Sequence, residues 1–265
     1  MQCWLRRPSN MEKEGKYIYC ITETRQDRNF GPIGIGDRGD EVLTIGCDDL
    51  SMAASNYPMA RLALNRQNML AHQKAIEEVM KEFDSVLPVR FGTIASSADE
   101  VRNLLHRRYR EFKGALRDMD HKIELGVKGV WEDMEVIFDE IVRENKTIRK
   151  LKETLDEKDG RDTQAKIGVG QLVKKELDRK KDIQAEEIVD RLRRTSYQYK
   201  LNKTIGDEMF MNAAFLIDRG REKEFDNIMD DLGDEYEGKL KFAYSGPLPV
   251  FNFVNIVIYP EEWEK

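Results

Sequence analysis

An α+β fold is predicted, arranged as two units that each mix short strands with helices. Three observations carry that reading. Apolar residues alternate with period two in short runs such as 86–91 and 122–131, the mark of a strand with one buried face. Elsewhere they recur every three or four residues, as in 59–83 and 134–155, the mark of an amphipathic helix. The order of these runs is strands, helix, strand, helix, followed by strand, paired helices, strand, helix, strand. That order suits antiparallel sheets carrying helices on one face, as in ferredoxin-like units, the second enlarged by a long antiparallel helical hairpin.

Residues 1–15 are expected to be a mobile extension ahead of the first strand. An N-terminal α+β domain then spans 16–120. Its first strand is 16–23, rich in β-branched and aromatic residues, with further strands at 41–46 and 50–55. Leu62, Met69, Ile76, Met80 and Phe83 share one helical stripe over 59–83. In the strand at 86–91, Leu87, Val89 and Phe91 alternate with Pro88 and Arg90. The proline cannot donate to a ladder, so this strand belongs at or near an edge, with Arg90 on the face away from the core. Ser96 and Ser97 before Asp99 and Glu100 signal a helix start, and Val101, Leu105, Phe112 and Leu116 form its buried face.

A C-terminal α+β domain is expected over 121–246. Ile123, Leu125 and Val127 alternate in its first strand. Met134, Ile137, Ile141, Ile148, Leu151 and Leu155 then make a coiled-coil-like seam along one helix. A break at 156–162 returns the chain into a second helix, so that the hairpin covers about 133–199. Leu177, Ile188 and Leu192 keep register in that helix, while Lys181 and Gln184 interrupt it. Residues 209–217 read as a buried strand, 221–232 as a helix and 239–244 as a strand. Gly246-Pro247-Leu248-Pro249 reads as an extended turn into a C-terminal tail, 247–265.

Charged residues make up 35% of the chain and mean hydropathy is −0.65, with no apolar run approaching the roughly 18–20 residues of a membrane span. No apolar signal segment precedes Lys16. Three scattered cysteines, Cys3, Cys20 and Cys47, fit reduced thiols in a cytosol. Residues 141–203 hold 18 Lys/Arg against 12 Asp/Glu, a basic stretch that reads as a solvated helical pair. Tyr197 and Tyr199 are too few to stack bases, so nucleic acid is not an expected partner.

Gly34-Ile35-Gly36-Asp37-Arg38-Gly39 matches G-x-G-x-x-G, but it leads into a strand and no helix opens to meet a pyrophosphate; it reads as a turn. His72, His106 and His121 belong to no H-x-x-x-H or C-x-x-C group, so no metal or other cofactor is expected. No local pattern assembles an acid, a base and a nucleophile, so an enzyme is not expected either.

Four segments in order carry a family resemblance. Gly15-Lys16-Tyr17-Ile18-Tyr19-Cys20-Ile21 and Leu50-Ser51-Met52-Ala53-Ala54-Ser55 come first. Leu87-Pro88-Val89-Arg90-Phe91-Gly92-Thr93 follows, and Tyr244-Ser245-Gly246-Pro247-Leu248-Pro249-Val250-Phe251-Asn252-Phe253-Val254 stands near the end. Together they resemble the gas vesicle accessory proteins of the F/L type. In the last segment Leu248, Val250, Phe251 and Asn252 stand where that family usually has tryptophan, proline, tyrosine and serine.

The resemblance implies a cytoplasmic, gas-vesicle-associated accessory protein that binds the hydrophobic major shell protein and other accessory proteins and assists shell nucleation or growth. Pro88, Arg90 and Gly92 are the candidate partner-binding residues. Leu87, Val89, Phe91, Ser245, Gly246, Pro247, Pro249 and Phe253 are read as structural, with the tail clasping Phe251, Phe253 and Val254 onto the core. A free sheet edge could accept a partner strand. The helical seam is expected to close within one chain, giving a monomer without membrane contact. Two other classes stay open: a ferredoxin-like regulator binding a small molecule, and a nucleic-acid-binding protein using the basic hairpin.

Overall fold

The computed structural model describes residues 13–60, 62–157 and 163–258. The expected extension over 1–15 falls largely outside these residues, as does most of the break at 156–162. The fold is α+β, built on two antiparallel sheets in two compact units. Unit 1 comprises Met1–Lys122 together with Pro249–Lys265, and unit 2 is Ile123–Leu248.

Unit 1 holds β1 (Glu14–Glu23), β2 (Leu43–Cys47), β3 (Leu50–Pro58), β4 (Val86–Pro88) and the short β5 (Ile94–Ala95). Its sheet has the order β2-β3-β1-β4, with β5 also paired to β1. β1 begins at Glu14, inside the stretch assigned to the extension, because Glu14 and Gly15 already pair with Pro58 and Tyr57. Gly15 has no room for a Cβ, which would run into Met59 and the Ala95 carbonyl. The sheet carries helices on both faces, not on one. Helices α2 (Ala98–Arg107) and α3 (Tyr109–Asp118) cover Ile18, Leu50, Met52 and Leu87 with Val101, Leu105, Phe112 and Leu116. Helix α1 (Arg66–Met80) covers Tyr17 and Tyr19 on the opposite face through His72. A strand buried on both sides reads as a continuous apolar run, and Tyr17-Ile18-Tyr19-Cys20-Ile21 is one.

The strand at 86–91 departs from simple alternation. Val86, Leu87, Pro88 and Val89 are all buried, and Phe91 is half-buried. The ladder ends at Pro88, although the Val89 N–H still donates to the Tyr19 carbonyl at 2.9 Å. The neighbouring Arg90 N–H points the other way, to the Ile256 carbonyl at 3.3 Å. Pro88 shares the parity of Arg90, so its missing N–H falls on the side away from β1, where no ladder partner is needed. The edge expectation therefore holds for β4, but the edge is not free. The returning chain lies along it, with Val89 and Ile256 bridged in parallel. The opposite edge, β2, is bridged by Asn29 at Leu43.

Unit 2 has the sheet order β7-β8-β6-β9, formed by β6 (Lys122–Trp131), β7 (Ser196–Leu201), β8 (Met209–Asp218) and β9 (Leu240–Leu248). The Phe210 ring sits where a Cβ on Gly129 would be, and packs 5.5 Å from Trp131. The first helix of the hairpin is two helices, α4 (Met134–Glu144) and α5 (Lys146–Glu157). Asn145 leaves helical geometry, and its side chain accepts from the Thr147 and Ile148 N–H groups, capping α5. Ile141 and Ile148 on either side of the break are buried, whereas Leu151 stays 36% exposed. The second helix, α6 (Thr163–Leu192), ends seven residues before the expected limit; the rest becomes edge strand β7. Helix α7 (Glu222–Glu235) buries Phe225, Met229 and Leu232. The expected turn at Gly246–Pro249 is instead the end of β9, which runs through Ser245, a cis Gly246–Pro247 peptide and Leu248.

Candidate functional site

The segment after β4 is held by one hydrogen-bonded chain in unit 1. The Val89 carbonyl can only accept, so the His72 Nε2 3.2 Å away carries the ring proton. Nδ1 of the neutral ring then accepts from the Tyr17 hydroxyl at 2.9 Å. The same Tyr17 oxygen accepts the Gly92 N–H at 3.1 Å. Both ends of Val89-Arg90-Phe91-Gly92 are thus tied to a buried Tyr–His pair. Gly92 has φ +86°, a left-handed conformation that disfavours a side chain. The Thr93 hydroxyl donates to the Arg90 carbonyl at 2.6 Å and closes the turn.

Burial sets the protonation of both groups. His72 is 3% exposed, and loss of hydration pulls its pKa from 6.5 down to about 4, against the Val89 hydrogen bond. Burial likewise pushes the Tyr17 phenol far above its ordinary value. Both stay neutral near pH 7, which the donor order above requires.

This turn forms one wall of a groove of about 640 Å³. Pro88, Val89, Arg90 and Phe91 line one side, α1 supplies Arg66, Met69, Leu70 and Gln73, and the returning chain supplies Phe251, Val254 and Ile256. The surface is apolar and open: Leu64 is 76% exposed, Met69 and Leu70 52% each and Phe251 40%. Arg90 is exposed, and among the described residues its guanidinium makes no ion pair.

Sequence reasoning separates into parts here. Pro88 and Arg90 meet in the groove wall, and Gly92 shapes the turn that presents Arg90. Leu87 and Val89 share the core cluster covered by α2 and α3, with Val89 also bridged to Ile256, whereas Phe91 leaves that face and packs edge-on to Tyr17 and His72. The late motif is divided. Ser245, Gly246 and Pro247 lie in β9 of unit 2, while Pro249 and Phe253 belong to unit 1. The clasp is made only in part by the residues expected: Val254 packs partly buried against the core. Val250 and Ile256 are buried, whereas Phe251 remains partly open, its ring 6.2 Å from His72. Leu64, Met69 and Leu70 were not legible as site residues. Met69 was placed on the buried stripe, but the helix starts only at Arg66 and turns Met69 outward.

The other sequence candidates stay apart from the groove. The glycine-rich stretch at 34–39 is a loop into β2, with Gly36 at φ +90° and the Gly34 N–H on the Asp40 carbonyl. Among the described residues no helix is long and apolar enough to cross a membrane.

Comparison with known proteins places these features. The family model described as gas vesicle synthesis protein GvpL/GvpF matches residues 15–255. Gas vesicle protein F of a Streptomyces strain is 28% identical over 83% of this chain and 91% of its own. Gas vesicle protein F1 of Halobacterium salinarum is 25% identical over 94% and 97%. Gas vesicle protein L1 of the same organism is 22% identical over 90% of each chain. The crystal structure of gas vesicle protein GvpF from Anabaena superposes with a TM-score of 0.75 at 21% identity, covering 92% of this chain and all of that one.

Proposed function

The chain belongs to the gas vesicle synthesis protein GvpL/GvpF family, and from that premise we propose that it is a non-enzymatic assembly factor whose unit 1 groove holds the hydrophobic major shell protein before it joins the growing shell. The supporting observation is the groove itself. Two motifs far apart in sequence, at 88–92 and 249–256, meet around an exposed apolar floor beside an unpaired Arg90. Soluble monomers rarely leave such surface open without a partner.

The mode of capture differs from strand addition at β4, because the chain's own Ile256 already occupies that edge. A groove walled by α1 and by the Arg90 turn suits an apolar face of the partner, with a partner carboxylate or carbonyl meeting Arg90. A role in nucleation or growth, residence on gas vesicles in the cytoplasm and contact with other accessory proteins belong to the same proposal, with family membership as their support.

Pull-down of the major shell protein tests it. Leu70→Glu and Arg90→Glu should each abolish or strongly weaken capture while melting within a few degrees of the wild type, since both positions are exposed. Undiminished capture by both folded variants would exclude the groove.

A further inference from the structure

A second cluster, remote from the groove and unused by that reading, lies in unit 1 where the β2–β3 hairpin meets the end of α2. Cys47 ends β2 and pairs with Leu50, so Asp48 and Asp49 form a two-residue hairpin loop. Asp48 sits at φ +58°, a conformation that aspartate tolerates better than most residues. His106 stands in the last turn of α2. Donor atoms of Cys47, Asp48 and His106 lie within 4.8 Å of one another, and Cys47 Sγ is 4.0 Å from an Asp48 carboxylate oxygen. Sequence spacing hides this set, because three strands, helix α1 and most of α2 separate the histidine from the cysteine.

We infer that Cys47, Asp48 and His106 form a binding site for a borderline-soft divalent cation of the zinc class. The chemistry is specific. One thiolate, one imidazole and one carboxylate are all zinc ligands, with bonds of about 2.0–2.3 Å. Those lengths put donors about 3.3–3.8 Å apart in a tetrahedron, so the observed spread closes by rotation of the exposed Asp48 and His106 side chains. Three protein ligands leave a fourth position for water.

Hard cations fit poorly. Magnesium and calcium ask for several oxygen ligands, and only Asp48 offers a carboxylate. Neighbouring Asp49 is committed elsewhere: it accepts from the Tyr109 hydroxyl at 2.8 Å and from Lys113 at 3.1 Å. Arg25 and Arg107 border the same cleft and oppose purely electrostatic capture of a cation. Affinity must come from the sulfur and nitrogen donors. Cys47 is also packed against the unit 1 core, which fixes the position of its sulfur. A bound ion would tie the hairpin tip to α2.

Cobalt(II), a spectroscopic substitute for zinc, provides the test on the full reduced chain. Titration should give a saturable thiolate-to-cobalt band at one ion per chain, displaced by zinc. The band should vanish in Cys47→Ser and persist in Cys3→Ser. Affinity should fall in His106→Ala by at least the roughly tenfold that loss of a mere outer-shell partner costs. Zinc should raise the melting temperature of the wild type and not that of Cys47→Ser. No saturable band, a band unchanged in Cys47→Ser, or a band lost in Cys3→Ser would overturn the site. If Cys47→Ser does not fold, Asp48→Asn and His106→Ala decide, and wild-type affinity in both overturns it.

Discussion

The buried His72 makes the groove wall sensitive to acid. Its pKa is about 4 folded and 6.5 unfolded, so above pH 6.5 the ring is neutral in both states and contributes no pH dependence. Between pH 6.5 and pH 4 the unfolded chain takes up the proton first, and stability falls with pH. The full loss is roughly 3 kcal/mol. Denaturation across this range should show that slope in the wild type and its disappearance in His72→Gln; equal slopes would mean that His72 titrates normally. Gly92→Ala probes the same turn. Nothing lies within 4 Å of a Cβ there, so the cost is backbone strain alone, about 1–2 kcal/mol. Shell-protein capture should fall with it, because the turn presents Arg90. At this scale the sequence marked residues that the fold gathers into one turn, but not what gathers them. Pro88, Arg90 and Gly92 stood out in one short word, yet their organiser, the Tyr17–His72 pair, joins residues 55 positions apart.

Among elements, local signals were read well wherever a single partner surface decided burial. The α2–α3 stripe of Val101, Leu105, Phe112 and Leu116 is buried as its spacing predicts. Reading failed where a tertiary contact changed the meaning of a residue. Lys181 looked like an interruption of α6, yet it is 7% exposed because its Nζ donates to the Gly206 carbonyl at 2.8 Å. The helical hairpin is expected to reach about residue 199, but residues 196–201 pair with β8 instead. Part of the α4–α5 seam closes within the chain: Ile141 and Ile148 are buried, and Lys180 of α6 reaches Glu140 at 2.9 Å, while Leu151 stays exposed. Leu151→Glu should therefore leave mass by light scattering unchanged, at that of a monomer. A dimer dissociated by this substitution would show that the seam pairs between chains.

For the whole molecule, the decisive feature is that unit 1 is discontinuous. The chain leaves it after Lys122, builds all of unit 2 and returns at Pro249. The returning segment buries Val250 and Ile256, and its Val257 carbonyl accepts from Arg108 at 2.8 Å. Two buried aliphatic side chains are worth about 3–6 kcal/mol together. Truncation after Leu248 should cost unit 1 on that order and strip hydrogen-exchange protection from the Arg90 amide, which donates to the Ile256 carbonyl. Unchanged protection would show that the segment merely rests on the surface.

The order of synthesis gives this discontinuity a meaning in time. A ribosome makes every element of the groove wall from Leu64 to Phe91 early, but the last side chains of the groove only after unit 2 has been translated. A nascent chain that stops short of residue 251 therefore lacks Phe251, Val254 and Ile256. If the groove holds the shell protein as proposed, competence to bind it follows translation of unit 2.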